Sequence, residues 1–475
     1  MDSMLWRVVY TIWWKPKSLG NQLRKQGIRG TSYKLLYGDM KEIAECTKEA
    51  WSKPMSLKHQ IAPRVSPFFY QMVKNYVETD SKVNFSGKVS VSWRETRPRL
   101  IIADPELMRL ILADKNAAIE PSSGSSTTGS VNIGRTEMGQ APAFHLEKLK
   151  KMVPAFSTSC LGLIDRWKKL ISPQESHELD VGAEFQNLAG DVIARTAFGN
   201  SYEEGKRIFE LQKEQAKLVL EAHHNIYIPG FRFIPTKKNK RRYNIDNEIK
   251  AILRDMISKK EQTMRDGQLE NNDLLGLLLQ CKEDSNNGMT IEDIIEECKL
   301  FYFAGQETTA TLLTWTMILL SMHLDWQEKA RDEVLRVTMI LHEVLRLYPP
   351  VVALFRHTNR KTNIGGIWGG VDFVLPVLLL HYDPKCWGED VDEFNPERFS
   401  EGVVKASKDE IGFYPFGWGP RICLGQSFAM IEAKMALAMV LQHFSFQLSP
   451  TYTHAPYIVI TLQPQHGAPI ILHRI

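Results

Sequence analysis

The residues best suited to chemistry lie in the stretch 416–425, FGWGPRICLG, where Cys423 stands two positions after Arg421 and two before Gly425. Gly417 and Gly419, just upstream, free the backbone for a tight turn and a close approach to something flat. A cysteine pointing out of such a turn, with backbone N–H groups and Arg421 beside it, is favoured as the thiolate, the form that ligates metals and attacks electrophiles. A lone cysteine is more often a small buried core residue. A core residue has no use for two glycines and an arginine within six positions, so the surroundings reverse that reading.

A second set is AGQETT, residues 304–309, inside a long apolar helical pattern. In a helix interior Gly305 costs about 1 kcal/mol against alanine, and buried Glu307 and Thr308 need hydrogen-bond partners. Such a set is either a polar kink without chemistry, ordinary at Gly and Ser/Thr, or a group that handles protons. A third set is Glu343 and Arg346 in LHEVLRLYPP, which share one helix face. An exposed pair of this kind contributes little, but Leu341, Val344, Leu345 and Leu347 around it favour burial, and Arg398 in FNPERF offers a second cation.

The first stretch matches, at every specified position, the F-x-x-G-x-R-x-C-x-G haem-ligand signature of the cytochrome P-450 superfamily, the haem-thiolate monooxygenases, and the chain resembles that family over nearly its whole length. The resemblance implies that Cys423 is the axial thiolate of a haem iron, the metal site of the chain, that Arg421 partners a haem propionate, and that Phe416 and Gly425 belong to the cofactor-binding signature. Arg356, after the Pro349-Pro350 turn, matches the position that reaches a second propionate, and residues 351–355 would line the substrate pocket. AGQETT resembles the family's A-G-x-[DE]-T-T motif. The roles implied there are room for bound dioxygen at Gly305, a hydrogen bond to the activated oxygen from Thr308, and a proton relay through Glu307 and water. The E-x-x-R helix and its P-E-R-F partner would hold the haem-binding loop in place.

The cofactor so implied is haem b (iron protoporphyrin IX). The reaction implied is insertion of one oxygen atom from O2 into a C–H bond of a small hydrophobic substrate, the thiolate pushing electron density toward O–O cleavage. Electrons would come from NADPH through NADPH-cytochrome reductase, because the chain has no nucleotide-binding glycine motif of its own. The phrases FYFAGQETTA, HEVLRLYPPVVALFRH and FYPFGWGPRICLGQSFA look most similar to the plant clan that includes secologanin synthase and other terpenoid oxidases. That kinship implies a terpenoid or related substrate and a place at the endoplasmic reticulum membrane, with the catalytic domain facing the cytosol.

Three departures from the family pattern stand in the sequence. Val337 joins directly onto Thr338 without the connection the family places there, and IWGGV at 367–371 lacks the usual I-P-x-G turn. No W-x-x-x-R occurs in 120–141, where the family has a helix that holds the propionates and helps dock the reductase. A second reading therefore stands beside the enzyme: a degenerate or mis-spliced member that binds haem poorly or without turnover. A third, a non-redox haem binder or isomerase, is disfavoured because Glu307 and Thr308 remain.

The elements that must position these residues read as mainly α with a small β region. Helical periodicity runs through 61–77, 105–112, 144–167, 185–198, 202–223 and 244–263, with a strand-like pair at 88–93 and 98–102. Thr290 followed by Asp293 is a capping-box-like start to a helix running to about His323, whose apolar 312–320 calls for the core. Residues 120–141, rich in Ser, Gly and Thr, read as a flexible loop. Residues 226–242, IYIPGFRFIPTKKNKRR, read as a loop, either solvated or dipping its apolar part into a membrane with a basic rim.

The 475 residues, 43% of them hydrophobic, can bury a large core, and without repeats or long linkers one large haem domain over 31–475 is the simpler reading. Residues 1–30 read as a truncated anchor-like and basic segment. The apolar run 5–14 is about half the roughly 20 residues a spanning helix needs and lacks a signal-peptide cleavage site. It is either a short amphipathic helix packed on the domain or an interfacial anchor on a membrane surface. Lys and Arg number 59 against 55 Asp and Glu, a balance that argues against nucleic acid. Six widely spaced cysteines without a C-x-x-C pair give neither a usual zinc site nor a disulfide framework.

Overall fold

Helices dominate this computed structural model, which describes residues 2–77, 85–114, 119–121, 146–171, 176–199, 202–223, 234–266, 273–283, 289–358, 370–407 and 412–475. The chain starts with α1 (Asp2–Val9), a π-helical turn (Tyr10–Trp14) and α2 (Lys15–Lys25), run together without a break. Trp6, Tyr10 and Trp14 stack in a ladder, with ring centroids 6.3 and 5.4 Å apart. Trp6 and Trp14 are 68% and 56% exposed, so this face is not packed on the rest of the protein. Docking falls to α2 through Pro16, Gly20 and Leu23. A Cβ at Gly20 would lie 3.1 Å from Trp93, which explains the glycine. No described helix is long and apolar enough to cross a membrane.

One mixed sheet contains β1 (Arg29–Gly30), β2 (Val89–Arg94), β3 (Arg97–Ile102), β4 (Ile119–Pro121), β6 (Leu354–Thr358) and β7 (Asp372–Leu375), in the order β1-β2-β3-β7-β6-β4. The expected strand pair is β2 and β3, antiparallel with Val89 opposite Ile102. The periodic stretch 61–77 is two helices, Ala62–Val65 and Pro67–Tyr76. Pro67 disfavours helical backbone at the residue before it, and Ser66 sits at φ −134°. After β3, Asp104 caps α3 (Pro105–Leu112) by accepting from the Leu107 N–H. A second sheet joins β5 (Ser176–Asp180), β11 (Pro469–Arg474) and β8 (Phe444–Leu448), and β9 (Pro456–Ile458) pairs with β10 (Leu462–Pro464) as a hairpin.

The remaining helices used below are α4 (Leu146–Leu170), α5 (Val181–Phe198), α6 (Tyr202–His223), α7 (Lys237–Arg265), α8 (Ile291–Met322), α9 (Leu324–Asp332), α10 (Val334–Leu347) and α11 (Gln426–His443). The expected capping box opens α8, with Thr290 and Asp293 satisfying each other's backbone N–H groups. Residues 309–321 of α8 are buried on every side, and α5, α10, α11 and β8 pack around it. Trp315 stacks on Tyr348 at 4.4 Å and donates its indole N–H to Leu462 O at 2.7 Å, fastening the β9–β10 hairpin to α8.

One sequence expectation changes, and a second gains detail. The basic run 237–242 is not loop but the first turns of α7, capped by Thr236, and it is partly neutralised by α6: Lys238 pairs with Glu221 and Arg241 with Glu214. Val337 and Thr338 lie inside α10, whose junction with α9 is the single residue Glu333. The expectations for 122–141, 226–233 and 367–369 fall outside the described residues.

Candidate active site

The cysteine loop is built from its glycines outward. Gly417 and Gly419 both sit at φ +75°, a left-handed backbone that side chains disfavour. At Gly419 space forbids a side chain as well, since a Cβ would lie 2.5 Å from Leu112 O at the end of α3. Three backbone bonds close the turn: Gly417 N–H to Tyr414 O at 3.1 Å, Ile422 N–H to Gly419 O at 3.1 Å and Cys423 N–H to Phe416 O at 2.9 Å. Gly425 then opens α11, its carbonyl accepting from the Ala429 N–H at 2.8 Å.

Cys423 reaches accessible space, yet enough protein surrounds it for desolvation to push its thiol up, against a smaller lowering by the Gly425 N–H. The donor that lowers the thiol is the Gly425 N–H rather than Arg421. A metal would deprotonate the thiol by coordinating it. The charge of Arg421 falls instead on Arg356 of β6, which burial first and Arg421 second lower to about 10. Leu354 reaches the same place, its Cδ1 lying 3.9 Å from where a Cβ on Gly417 would be.

The residues present fit haem. Two guanidinium groups near each other call for anions, and two propionates supply them. Ile422 and Leu424, on either side of the thiol, stay 41% and 45% exposed, an apolar surface for a macrocycle. The backbone does not need glycine at 425, where φ is −82°, but a Cβ there would lie 3.9 Å from Cys423 Sγ and cover the ground beside it.

Behind the loop, Glu343 and Arg346 are fully buried and joined by two hydrogen bonds of 2.7 and 2.8 Å. Arg346 also donates to the carbonyls of His381, Val391 and Glu393. Arg398 stays 3.8 Å from Glu343 and spends its hydrogen bonds on Asp390 and Trp387 O, while the Asn395 N–H donates to Glu343 at 3.0 Å. The second cation is thus a neighbour of the pair, and a backbone amide completes it. His381 links this platform to the loop: Nδ1–H donates to Arg346 O at 3.0 Å and Nε2 accepts from the Tyr414 N–H at 3.1 Å. That pattern fixes a neutral tautomer, in keeping with a pKa that burial lowers to about 3.

On α8 the segment 303–308 is half-buried and leads into the fully buried stretch 309–321. Thr308 donates its hydroxyl to Ala304 O at 2.7 Å. Glu307 accepts from Gln186 Nε2 of α5 at 3.0 Å, from the Thr461 hydroxyl at 2.7 Å and from Gln463 Nε2. Gly305 has a packing partner that the sequence did not show. A Cβ there would meet Ile193 Cδ1 and Cγ1 of α5 at 2.7 Å, so the bare face of this glycine serves close packing of two helices.

Cys423, Phe416, Arg421, Gly425 and Arg356 thus come together around one loop. Among the described residues no hydrogen bond ties Gly305, Glu307 or Thr308 to it: Glu307 is held from α5 and the hairpin, and Thr308 bonds within α8. Sequence reasoning missed His381, Asn395, Asp390, Gln186, Thr461 and Gln463. Only His381 carried a signal, a lone polar residue ending the apolar run 377–380.

The cytochrome P-450 family profile matches residues 139–466. A protein of Paris polyphylla described as cytochrome P-450 CYP72A616 is 49% identical, over 98% of this chain and 95% of its own. One of Kalopanax septemlobus, cytochrome P-450 72A397, is 46% identical over 99% of this chain and 95% of its own. The solved structure of retinoic acid-bound cyanobacterial CYP120A1 superposes with a TM-score of 0.74 over 94% of this chain and 99% of that one; at 19% identity it speaks for the fold alone. The chain belongs to the cytochrome P-450 family, the haem-dependent monooxygenases.

Proposed function

We propose that the loop 416–425 binds haem b with Cys423 as axial ligand and Arg421 and Arg356 on the two propionates, and that Glu307 and Thr308 deliver protons for oxygen activation. When bound, the haem supplies the redox centre at which dioxygen is reduced and one oxygen atom enters a C–H bond. The observation that carries the reading is the buried Arg356 with Arg421 as its charged neighbour, beside a cysteine on a glycine-built turn. Phe416 O pins the Cys423 N–H, which fixes the direction of the thiol. Thr308, now bonded to Ala304 O, can exchange that bond for one to an oxygen acceptor. Glu307, whose carboxylate accepts from neutral donors, would take a proton there and return it.

The substrate we infer is small and hydrophobic, of terpenoid type, met by residues 351–355, of which Phe355 is 44% exposed. Electrons would come from NADPH through NADPH-cytochrome reductase. Residues 1–30 would act as an interfacial anchor for a haem domain spanning 31–475: the exposed Trp6, Trp13 and Trp14, with Arg7, Lys15 and Lys17 among them, suit a headgroup layer. This supports attachment to the endoplasmic reticulum membrane with the catalytic domain in the cytosol.

The carbon monoxide difference spectrum of the dithionite-reduced protein tests the reading. A red-shifted Soret band of the thiolate-ligated type is expected. No haem uptake, or only the blue-shifted band of a lost thiolate, would replace the enzyme with the degenerate-member reading. One observation favours that second reading: the alignment with the Paris polyphylla protein spans 501 positions against 475 residues here, so segments of the relative have no counterpart.

A further inference from the structure

The carboxylate of Glu307 is held from two sides by groups that carry no charge. Gln186 Nε2, on α5, donates to Oε2 at 3.0 Å. Thr461, at the start of the second arm of the hairpin, donates to Oε1 at 2.7 Å, and Gln463 Nε2 donates to the same oxygen. A further layer fixes the clamp itself. Thr311, one turn along α8, donates to Thr461 Oγ1 at 3.3 Å, and Gln306 Nε2 donates to Gln186 O at 3.0 Å. Trp315, bonded to Leu462 O between the two hairpin residues, keeps Thr461 and Gln463 at this height on the helix.

Among the described residues no cation pairs with Glu307. Tyr457 on β9 is a titratable neighbour, its phenol pushed up by burial first and by Glu307 second. A carboxylate that must both accept and give a proton is poorly served by a lysine or arginine, which would lock it ionised. Amide and hydroxyl donors orient it and leave it able to exchange.

We propose that Gln463, Thr461 and Gln186 are positioning residues for Glu307, a neutral clamp that sets the direction of its carboxylate and keeps it competent to relay protons. This rests on the reading of Glu307 as proton relay given above. The hairpin is then part of the oxygen-activating apparatus through Glu307, although it lies more than 150 residues away in sequence.

The test uses the holoenzyme reconstituted with a plant NADPH-cytochrome reductase in air-saturated buffer, so that no substrate need be known. Two electrons and two protons turn O2 into hydrogen peroxide; four of each turn it into two waters, so the second outcome needs two more protons delivered before peroxide escapes. The readout is the peroxide-to-water ratio as a function of pH, beside the unfolding midpoint. Gln463→Leu and Thr461→Val should raise the ratio about tenfold, a part of the 10²–10⁴ that general acid–base catalysis contributes. Gln463→Glu should stay near wild type where the new carboxyl is protonated and can donate. As pH rises and two carboxylates oppose each other, its ratio should climb, a dependence that a merely structural role would not produce. The double variant of Glu307→Gln with Gln463→Leu should shift the midpoint by less than the sum of the single shifts. A wild-type ratio and pH profile in all three clamp variants, with Glu307→Gln itself impaired, would overturn the clamp. A wild-type ratio in Glu307→Gln would instead remove the relay role on which the clamp depends.

Discussion

Arg346 and His381 hold each other by reciprocal bonds: the guanidinium donates to the His381 carbonyl at 3.0 Å, and the His381 ring donates to the Arg346 carbonyl at 3.0 Å. Because the other ring nitrogen accepts from the Tyr414 N–H, the cysteine loop is tied to α10 through one neutral imidazole. The ring also stacks on Phe413 at 5.4 Å and meets Trp387 edge-on at 6.1 Å. His381→Phe preserves most of that packing but leaves a buried carbonyl and a buried N–H unpaired, at about 1–3 kcal/mol each. We expect a loss of about 3 kcal/mol in chemical denaturation and a lower haem content. Unchanged values for both would show that the imidazole fills space only.

Arg346→Lys keeps the charge and loses the fork. The guanidinium serves the two Glu343 oxygens and three carbonyls at once, which an ammonium with three donors cannot do. Glu343 would remain fully buried beside a partner that no longer matches it. Breaking a buried pair costs about 3–5 kcal/mol, a large part of a domain's stability. The variant should yield little haem-loaded protein, while Glu397→Lys, at a neighbouring side chain 55% exposed, should behave as wild type. Comparable yields of the two proteins would contradict the platform role.

Stability should fall on both sides of neutrality, for opposite reasons. Burial lowers His59 and His381 to about 3, and His342 and His454 to about 4. Their unfolded pKa is about 6.5, so between that value and the folded values the unfolded chain binds more protons. Stability is therefore lost as pH drops through this window, by up to about 1.4 kcal/mol per unit for each histidine. Glu432 acts on the other side. Its carboxyl oxygens are buried and without a partner among the described residues, and desolvation raises its pKa well above the ordinary value. Its contribution is complete at acid pH and is lost as pH rises toward the folded pKa. Glu432→Gln should accordingly gain stability over wild type more at pH above neutrality than below it, read from denaturation midpoints. A gain independent of pH would mean that the carboxyl is not held neutral.

What could be read from the chain follows how local each feature is. The start of α8 was legible because Thr290 and Asp293 satisfy each other within one turn, and α3 because Asp104 and Pro105 mark its first residue. The loop 416–425 was legible because its glycines, arginine and cysteine are contiguous. Hidden were bonds between distant segments. Nothing near Glu307 in sequence points to Gln463, and nothing near Glu343 points to the Asn395 N–H. The lysines and arginines of 237–242 misled because charge is compatible with a loop or a helix, and the carboxylates that balance them lie on α6. The packing of Gly305 was hidden for a related reason, since the side chain that excludes a Cβ there belongs to another helix.

Gly305 can decide between packing and oxygen chemistry by a compensating change. Alanine gains about 1 kcal/mol in helix propensity, but its Cβ would stand 2.7 Å from both Cγ1 and Cδ1 of Ile193 and 3.3 Å from its Cβ. Ile193 is buried and β-branched, so only its terminal methyl can swing aside easily. Forcing a methyl into such a contact costs about 1–3 kcal/mol, so Gly305→Ala should come out net destabilised by about 1 kcal/mol. Ile193→Ala leaves a hole that the new methyl can occupy, and the double variant should be at least as stable as Ile193→Ala alone. The two effects are then strongly non-additive, as contacting residues are. If instead Gly305→Ala matches wild type in thermal unfolding and changes only the peroxide-to-water ratio, the glycine serves the oxygen side of the helix and its contact with α5 is incidental.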